Sequence, residues 1–558
     1  MNNVFLLSDF RPERSRRLRF FCWMATACSL VVWVLLFVVP VIPGQGARAQ
    51  SSLKAPSSSA VYSTSAVQPS HTGPFIQPAP AQTREITWGW QWRGAAGSAG
   101  DMPFWLHSNR FGALDRYSYN TTFNLFGSWR HTFDSGVRVS AGADLLFRGA
   151  GDAIIWFQEG YVQAGYGHFV LRAGRKREDF GLLHPELTMG TVDLSHNARP
   201  MPKIVFSTDG WKPIPGTRRV FYYDASLAHG WMEDSGYRYV DGVLLHQKHL
   251  YLRMFTEDSP VYPRAGLKHF AQWWGTSPVN EESNVNMLRA YQNVFFSRSA
   301  DNDEILGRGE LLNRFQNHVG SYDFALMLNL GRYKMGVSRQ FILEDNPNAR
   351  FGTPWDGLWG AYFELRPDSR TRWRSGRPSD WPAEHRPLLK AVNYEHLNTI
   401  NGVDRMPHRD MTSYYNYYNH WAYRGGWAYY GRAIGNPLFF SHPDYLGVIN
   451  NLMLAHHVGA MGYAGPVDWR FFTTYSRNYG GSRLTTTGGG RVSLPNDRRD
   501  QWSMMLEMKT NMLSGNTGPG PAMWMRPIQL TVTLGYDTGD VYPENFGVMI
   551  GVRWEGGR

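Results

Sequence analysis

The end of the chain alternates between apolar residues and residues that are mostly small or polar. The apolar members are Ile528, Leu530, Val532, Leu534 and Tyr536, followed after residues 538–545 by Phe546, Val548, Ile550, Val552 and Trp554. Successive side chains of a β-strand point to opposite faces, so each half of this pattern predicts a strand with one apolar and one polar face. The turn-forming residues between the halves complete the pattern of a β-hairpin.

Both strands are long enough to cross a membrane. A strand that crosses a bilayer at a tilt needs roughly 9–11 residues, whereas strands of soluble proteins usually have about five or six. Tyr536 and Trp554 end the two apolar faces, where the aromatic girdle of a membrane barrel would lie. We therefore predict that the hairpin closes an all-β membrane protein, an antiparallel up-and-down outer-membrane β-barrel. The alternative is a long hairpin in a secreted β-sandwich.

The same alternation recurs along the chain without a clean sequence repeat. It predicts further strands near residues 117–130, 137–145, 161–166, 169–174, 322–330, 333–337, 469–475 and 502–508. Long antiparallel strands joined by alternately short and long connections are the plan of an up-and-down barrel. Residues 183–215, 280–315 and 368–386 are predicted not to be strands, with helix-like patches at residues 285–296 and 304–315. Loops this long usually carry a function, so we expect them to plug the lumen or cover its outer mouth.

The N-terminus has the pattern of an export signal. An apolar run at residues 20–41 follows Arg11, Arg14, Arg16, Arg17 and Arg19. A basic flank, an apolar stretch and a small-x-small site, here ending at Ala49, are typical of a cleaved signal peptide. We therefore predict a signal peptide at residues 1–49, cleaved near Ala49, with an uncleaved anchor as the alternative. Residues 50–85 predict a disordered Ser/Pro-rich periplasmic tether, and residues 86–558 the barrel in the bacterial outer membrane.

Composition and charge narrow the choice of partner. A hydrophobic content of 42% and a mean hydropathy of −0.40 exclude a helical membrane bundle but suit strands with a polar lumenal face. Both cysteines, Cys22 and Cys28, lie in the predicted signal peptide, which excludes thiolate chemistry from the mature chain. The net charge is +11, and the signal peptide has six Arg against Asp9 and Glu13, so +11 less +4 leaves +7. A basic exported surface attracts anions, which in an envelope are acidic polysaccharide and lipid phosphate, not nucleic acid.

Several ordered sequence blocks resemble the capsule assembly protein Wzi family of outer-membrane barrels. They are residues 103–112, 174–178, 245–248, 266–275, 356–360 and the aromatic block of residues 417–440. The resemblance implies a barrel of about eighteen strands, periplasmic helices near the N-terminal side, and extracellular loops that close the outer mouth. It also implies a surface lectin that organises capsular polysaccharide.

The chemistry of sugar binding identifies a set of candidate residues in the sequence. Aromatic rings stack on pyranose rings, and Arg holds carboxylates through two parallel hydrogen bonds. The candidates are Trp105, Asn109, Arg110, Trp273, Trp274, Asp356, Trp359, Tyr423, Arg424, Trp427 and Arg432. Those of residues 105–110, 273–274 and 356–359 are predicted to lie in loop-like segments, which carry binding residues disproportionately. For these loop-like candidates, packing of the plug against the wall is the alternative role. For the candidates of residues 423–432, the alternative is that the aromatic rings of this block face lipid or the core as part of a barrel girdle.

Other chemistry has weaker support in the sequence. Glu178 with Asp179, Glu344 with Asp345, and Asp356 could supply paired carboxylates for glycoside hydrolysis, although such residues also line barrel lumens. His246 and His249 are three apart, and His456 and His457 are adjacent, so each pair should point to opposite faces of its strand. We expect no metal, no cofactor and no enzyme activity.

The leading hypothesis is therefore a carbohydrate-binding barrel involved in capsular polysaccharide assembly or attachment at the cell surface. The first alternative is a porin-like channel for oligosaccharides or other anions, and the second is a membrane-embedded hydrolase. The expected partners are a capsular or other surface polysaccharide, outer-membrane lipid and the barrel-assembly machinery. The basic charge of the chain favours an acidic polysaccharide.

Overall fold

The structure is a computed structural model that describes most of the chain from residue 83 onward. The described residues are 83–179, 181–276, 286–298, 316–344, 351–367, 381, 385–406, 411–420, 422–441, 447–481, 484–486, 497–512 and 528–557. The predicted signal peptide and almost all of the predicted tether lie outside them. The first strand begins at Thr83, slightly before the predicted start at residue 86.

Eighteen long strands form one sheet in the described part of the chain. They are β1 Thr83–Asp101, β2 Tyr117–Thr132, β3 Arg138–Ala150, β4 Asp152–Tyr166, β5 Phe169–Arg175, β6 Lys203–Thr208 (resumed as Lys212–Pro213), β7 Phe221–Trp231, β8 Leu244–Met254, β9 Val261–Trp273, β10 Asn317–Leu330, β11 Tyr333–Leu343, β12 Gly357–Leu365, β13 Ala391–Asn398, β14 Met453–Ala464, β15 Val467–Asn478, β16 Arg499–Met512, β17 Ile528–Gly539 and β18 Asn545–Gly557. Each strand pairs antiparallel with the next, and β1 also pairs with β18, from Thr87 opposite Gly557 to Gly97 opposite Gly547. The sheet is therefore a closed barrel, which confirms the predicted fold.

Alternate side chains face the outside and the lumen, and the apolar set faces outward. On β10, Phe324 is 43% exposed, whereas its neighbour Asp323 is 0% exposed. On β2, exposed Phe123 and Leu125 likewise flank buried Asn124. A soluble protein has the opposite arrangement, because burial of apolar surface drives its folding. Exposed apolar side chains over polar lumenal ones are typical of a barrel in lipid.

The two rims of the barrel differ in their connections. An even number of strands places the start of β1 and the end of β18 at the same rim, which also has the short turns at residues 133–137, 167–168, 331–332 and 465–466. Short turns are periplasmic in outer-membrane barrels, so we call this the periplasmic rim. The opposite, outer rim has the long connections at residues 102–116, 176–202 and 399–452. The rule has exceptions: residues 366–390 and 513–527 are long connections at the periplasmic rim, whereas at the outer rim Gly151 alone joins β3 to β4 and the five residues 540–544 join β17 to β18.

Two predictions about loops and helices need correction. Residues 183–215 were predicted not to form strands, but β6 lies within them, because residues 203–208 pair with both β5 and β7 despite the surrounding prolines.

The helix-like patch at residues 285–296 forms a helix, Met287–Phe296, and the patch at residues 304–315 lies outside the described residues. This helix, α2, and the short α1, Phe104–His107, both lie in outer-rim connections. The described residues therefore contain no periplasmic helix of the kind that the resemblance implies.

Neither helix of the described residues is both long and apolar enough to cross a membrane.

Residues 182–202 and 399–452 enter the lumen from the outer rim, and we call their described parts the plug. One hydrophobic cluster includes plug residues such as Leu187, Tyr418 and Trp427 together with lumenal side chains of the wall. Those wall residues come from β8 (Leu245), β9 (Phe270), β10 (Val319), β11 (Ile342), β12 (Leu358), β13 (Leu397), β14 (Met453), β15 (Phe472) and β16 (Met505). The cluster therefore connects the plug to half of the strands of the barrel wall. Residues 428–433 of the plug also form a small hairpin.

Candidate functional site

A buried ionic network anchors the plug to the wall. Lys268 of β9 is 0% exposed, and its Nζ lies 2.6 Å from Asp193 Oδ1 of the plug and 3.3 Å from Asp323 Oδ2 of β10. Ser321 Oγ donates to Asp193 Oδ2 at 2.8 Å, and Tyr251 OH donates to Asp323 Oδ2 at 2.8 Å. Each charged group therefore has partners, which a buried charge requires.

A second part of the wall, four strands further along, holds the plug through contacts with its main chain. Glu395 of β13 accepts the backbone N–H of Met189 at 2.8 Å, and the Asn393 amide donates to the carbonyl of Leu187 at 3.1 Å. His457 of β14 contacts the same Leu187 carbonyl at 3.0 Å. Polar contacts with little exposure to water thus hold the plug at two parts of the wall, which is an arrangement suited to a fixed element.

The predicted aromatic block, residues 417–440, forms the interior of the plug. Trp427 Nε1 donates to the carbonyl of Asp193 at 2.7 Å, Tyr418 OH donates to the carbonyl of Val192, and both rings are fully buried. Tyr417 and Phe439 are also fully buried. The sequence left open whether these rings face lipid, the core or a glycan. The structure places them in the core of the plug, because each fills space between the two plug segments or beside the wall.

The first group of candidate sugar-binding residues also packs inside the lumen. Trp105 lies in α1, not in a loop as predicted, is buried, and donates from Nε1 to Thr474 Oγ1 at 3.1 Å. The Asn109 amide donates to the carbonyl of Met189 at 2.9 Å. Arg110 lies 3.4 Å from Glu507 of β16, and burial lowers the pKa of its guanidinium. Their contacts give these residues a structural role, and their sugar contacts stay a prediction.

The second group lies at the outer rim beside β9. Trp273 ends β9, again not in a loop, and faces outward, where α2 buries it with Leu244 and Val294. Trp274 is partly exposed, and its carbonyl accepts the hydroxyl of Tyr423 at 2.9 Å. Exposed Arg424 lies with Cζ 5.0 Å from the ring centre of Tyr239. Trp274 and Arg424 therefore present surface at the outer mouth, whereas the rings of Trp273 and Tyr423 are covered.

The remaining candidates have three different environments. Asp356 is fully buried and accepts the N–H groups of Asn401 and Gly402, each at 2.9 Å, and Tyr417 OH at 2.7 Å. Burial raises the pKa of this carboxyl, although the three donors favour its charged form. Its contacts make it the organiser of the connection after β13.

Trp359 and Arg432 point away from any common site. Trp359 was predicted in a loop but lies in β12 on the outer face, in an apolar groove of about 700 Å³ that also includes Phe324 and Val337. The tight pairing of β12 with β11 and β13 explains the difference. Arg432 donates to the carbonyls of His107 and Leu114 and so joins the plug to the connection after β1. The structure thus does not bring the eleven candidates together.

The carboxylate pairs and histidines have ordinary partners. Glu178 forms ion pairs with Arg172 and Lys203, Asp179 contacts His196, and Asp345 lies outside the described residues. His456 is exposed and His457 is buried, as predicted for adjacent residues of a strand. His246 faces outward under Tyr291 and His249 faces the lumen beside Asp224, also as predicted. Among the described residues no group of three or more potential ligands could hold a metal ion.

A cluster that the sequence reasoning missed lies at the outer mouth, and we call it the arginine cradle. Its centre is Arg199, whose guanidinium Cζ lies 4.0 Å from the ring centre of Trp156 and 4.3 Å from that of Tyr430. Trp156 is a lumenal residue of β4, and Tyr430 stands in the turn of the plug hairpin beside partly exposed Tyr237. Residues 156, 199 and 430 are so far apart in sequence that no local motif could reveal their proximity.

The outer mouth therefore offers two kinds of surface. Aromatic faces are available at Trp355, which is 65% exposed, and less fully at Trp274 and Tyr237. Basic groups lie there at exposed Arg424 and partly exposed Arg199. Such rings can stack on pyranose rings, and such cations can pair with carboxylate or phosphate oxygens.

Known proteins offer only distant similarity to this chain. No family model and no curated protein matches the sequence. Among solved structures, the chain is similar to Wzi of Escherichia coli, described as a carbohydrate-binding β-barrel involved in group 1 capsule assembly, with 13% identity, a TM-score of 0.49, and coverage of 83% of this chain and 84% of that one. It is also similar to OccK5 (OpdH) of Pseudomonas aeruginosa, with 8% identity, a TM-score of 0.42, and coverage of 85% and 98%. Likeness at these identities concerns the fold alone, so membership of the Wzi family stays a prediction.

Proposed function

We propose that this barrel binds a surface polysaccharide at its outer mouth and contributes to the assembly or attachment of capsular polysaccharide. The observation that carries the proposal is the plug, whose hydrophobic cluster includes lumenal residues of nine of the wall strands. A lumen filled in this way favours an outer surface that holds a ligand over a passage that conducts one. The sequence resemblance to the Wzi family supports the same role.

The chemistry of the mouth fits a long polymer. Single contacts between rings and sugars, or between Arg and carboxylates, are weak, but a repeating polysaccharide can occupy many copies of the protein at once. The exposed ring of Trp355 and the exposed Arg424 are suitable contacts of this kind. If the polymer is acidic, salt screens the Arg contacts and weakens binding.

A porin-like channel is the second candidate, and lumenal arginines favour it. Arg93 of β1 and Arg553 of β18 are only partly buried on the lumenal face. Arg553 pairs with Glu555 at 2.7 Å, whereas Arg93 donates to the amide oxygens of Gln91 and Asn124 and keeps a positive charge that would attract anions. A channel would require a path past the plug. Steady, large conductance of the purified protein in planar bilayers would therefore support the channel and oppose the polysaccharide-binding role.

Deletion of the gene tests the proposed role in the cell. We expect cell-bound capsule to fall and shed capsule to rise, and the wild-type gene to restore retention. Unchanged retention in the deletion strain would rule out the capsule role while leaving the barrel fold intact. A second arm, binding of the purified protein to isolated surface polysaccharide, separates direct contact from an indirect effect on export.

A further inference from the structure

The arginine cradle holds a cation that the protein itself does not neutralise. Arg199 contacts the rings of Trp156 and Tyr430, and within the described part of the chain its guanidinium has neither a carboxylate partner nor a hydrogen bond. Most other lumenal cations differ: Arg148, beside it, pairs with Asp115 at 2.8 Å. Burial and the like charge of Arg148 lower the pKa of the Arg199 guanidinium. A partly buried charge without a counter-ion is energetically unfavourable. An anion bound from solution would neutralise this charge.

The geometry of the cradle leaves one part of the guanidinium available. The indole and phenol rings both lie against its central carbon, and a guanidinium stacked on rings donates hydrogen bonds from its edge. Gly112 makes room for the aliphatic stem, because a Cβ there would lie 2.8 Å from Arg199 Cγ. Four separate segments thus position Arg199: the wall at β4, the connection after β1, and both plug segments. The edge presents a planar pair of donors that matches an oxyanion with two oxygens.

The surroundings favour a sugar carboxylate over a lipid phosphate. Trp156 is on the lumenal face of β4 near the outer rim, so the barrel wall separates the cradle from lipid. Tyr237 contacts Tyr430 with ring centres 5.3 Å apart, and its exposed ring offers a stacking platform next to the cation. A cation beside an aromatic platform suits a sugar ring that carries a carboxylate.

We infer that the arginine cradle is a binding site for the carboxylate of an acidic sugar unit, with the Arg199 edge as its ligand. This inference rests on the proposed polysaccharide-binding function and specifies its substrate class. It names residues, Trp156, Arg199 and Tyr237, that the sequence did not indicate. Loss of Arg199 should remove recognition of the acidic group without removing the other contacts at the mouth.

The test compares one acidic and one neutral polymer on the purified full-length barrel in detergent. The probes are polygalacturonate and dextran, and the association constant is measured by calorimetry. We expect Arg199→Met to weaken binding of polygalacturonate about tenfold, in the range of a lost charge-assisted hydrogen bond, and to leave binding of dextran unchanged. Arg199→Lys should give an intermediate loss, because Lys keeps the charge but not the planar pair of donors.

The control is Arg218→Met, which removes the same charge from an exposed position at the periplasmic rim. It should leave binding of polygalacturonate unchanged. If wild type and Arg199→Met bind polygalacturonate equally, the inference is wrong. Because the variant would then still bind both polymers, the proposed polysaccharide-binding function would remain supported. If wild type binds neither polymer, both fail. A further titration uses inorganic phosphate. If phosphate gives a heat of binding that depends on Arg199 and polygalacturonate gives none, the site binds a small oxyanion and the inference is wrong.

Discussion

Two cations inside the same barrel, Lys268 and Arg199, have opposite surroundings. Lys268 is completely buried and contacts two carboxylates, Asp193 and Asp323. Arg199 is partly exposed and contacts two aromatic rings but no carboxylate among the described residues. The first arrangement satisfies the charge within the protein and serves the fold. The second arrangement leaves the charge to be neutralised by a ligand. The presence or absence of a carboxylate partner therefore distinguishes the structural cation, Lys268, from the candidate binding cation, Arg199.

Removal of Lys268 should have the largest effect, because it would leave two buried carboxylates without their cation. Loss of one partner of a buried pair costs about 3–5 kcal/mol. We expect Lys268→Met to lower the free energy of unfolding by this amount, to loosen the plug and to raise the conductance in planar bilayers. Arg130→Met is the matched control, since Arg130 forms an exposed pair with Glu85 at 3.2 Å, and such pairs contribute about 0–1 kcal/mol. Similar effects of the two variants would show that burial is not what distinguishes Lys268.

Arg432 and Arg199 allow the same comparison between two arginines of the plug. Arg432 donates to two backbone carbonyls, and hydrogen bonds from a charged group are worth about 1.5–3 kcal/mol. Arg432→Met should therefore destabilise the barrel in denaturant unfolding by roughly that amount. Arg199→Met should change stability by only about 0.5–1 kcal/mol, the range of a cation–π contact that is not fully desolvated. A larger loss for Arg199→Met would assign that residue to the fold and not to a ligand.

Lowering the pH should gradually reduce the free energy of unfolding of the protein, through a histidine of the plug. Burial lowers the pKa of His184, in the plug, to about 4, whereas an unfolded histidine titrates near 6.5. Because the folded pKa is the lower one, the unfolded state binds the proton first, and stability falls as the pH drops from about 6.5 toward about 4. The melting temperature should decrease over this range, and His184→Gln should reduce the decrease. His168→Gln, in the exposed turn between β4 and β5, should leave the decrease as in wild type.

The smallest effect is expected for an exposed ring. Trp355→Ala should change the free energy of unfolding by less than about 0.5 kcal/mol, because the indole is largely in solvent. Binding of a neutral polysaccharide should weaken modestly, since this ring offers a stacking face. Unchanged binding together with unchanged stability would remove Trp355 from the sugar-binding surface.

The sequence predicted the barrel well because its signal is local. Period-two alternation, as in residues 528–536 and 546–554, determines which face of a strand is apolar, and strand length distinguishes a membrane strand from a soluble one. The same reasoning failed at Trp359, where flanking glycines indicated a loop although pairing on both sides holds it in β12. It also missed β6, because its short apolar stretch is surrounded by prolines.

The sequence by itself determined the fold class, the direction in which each strand side chain points and the basic, aromatic composition of the barrel. Only the tertiary structure decided which aromatics fill the plug, which cations have partners, and that Trp156, Arg199 and Tyr430 form one cluster. The physical reason is distance along the chain. Alternation is a property of neighbouring residues, whereas the pairing of a charge depends on segments that meet only when the barrel closes around its plug.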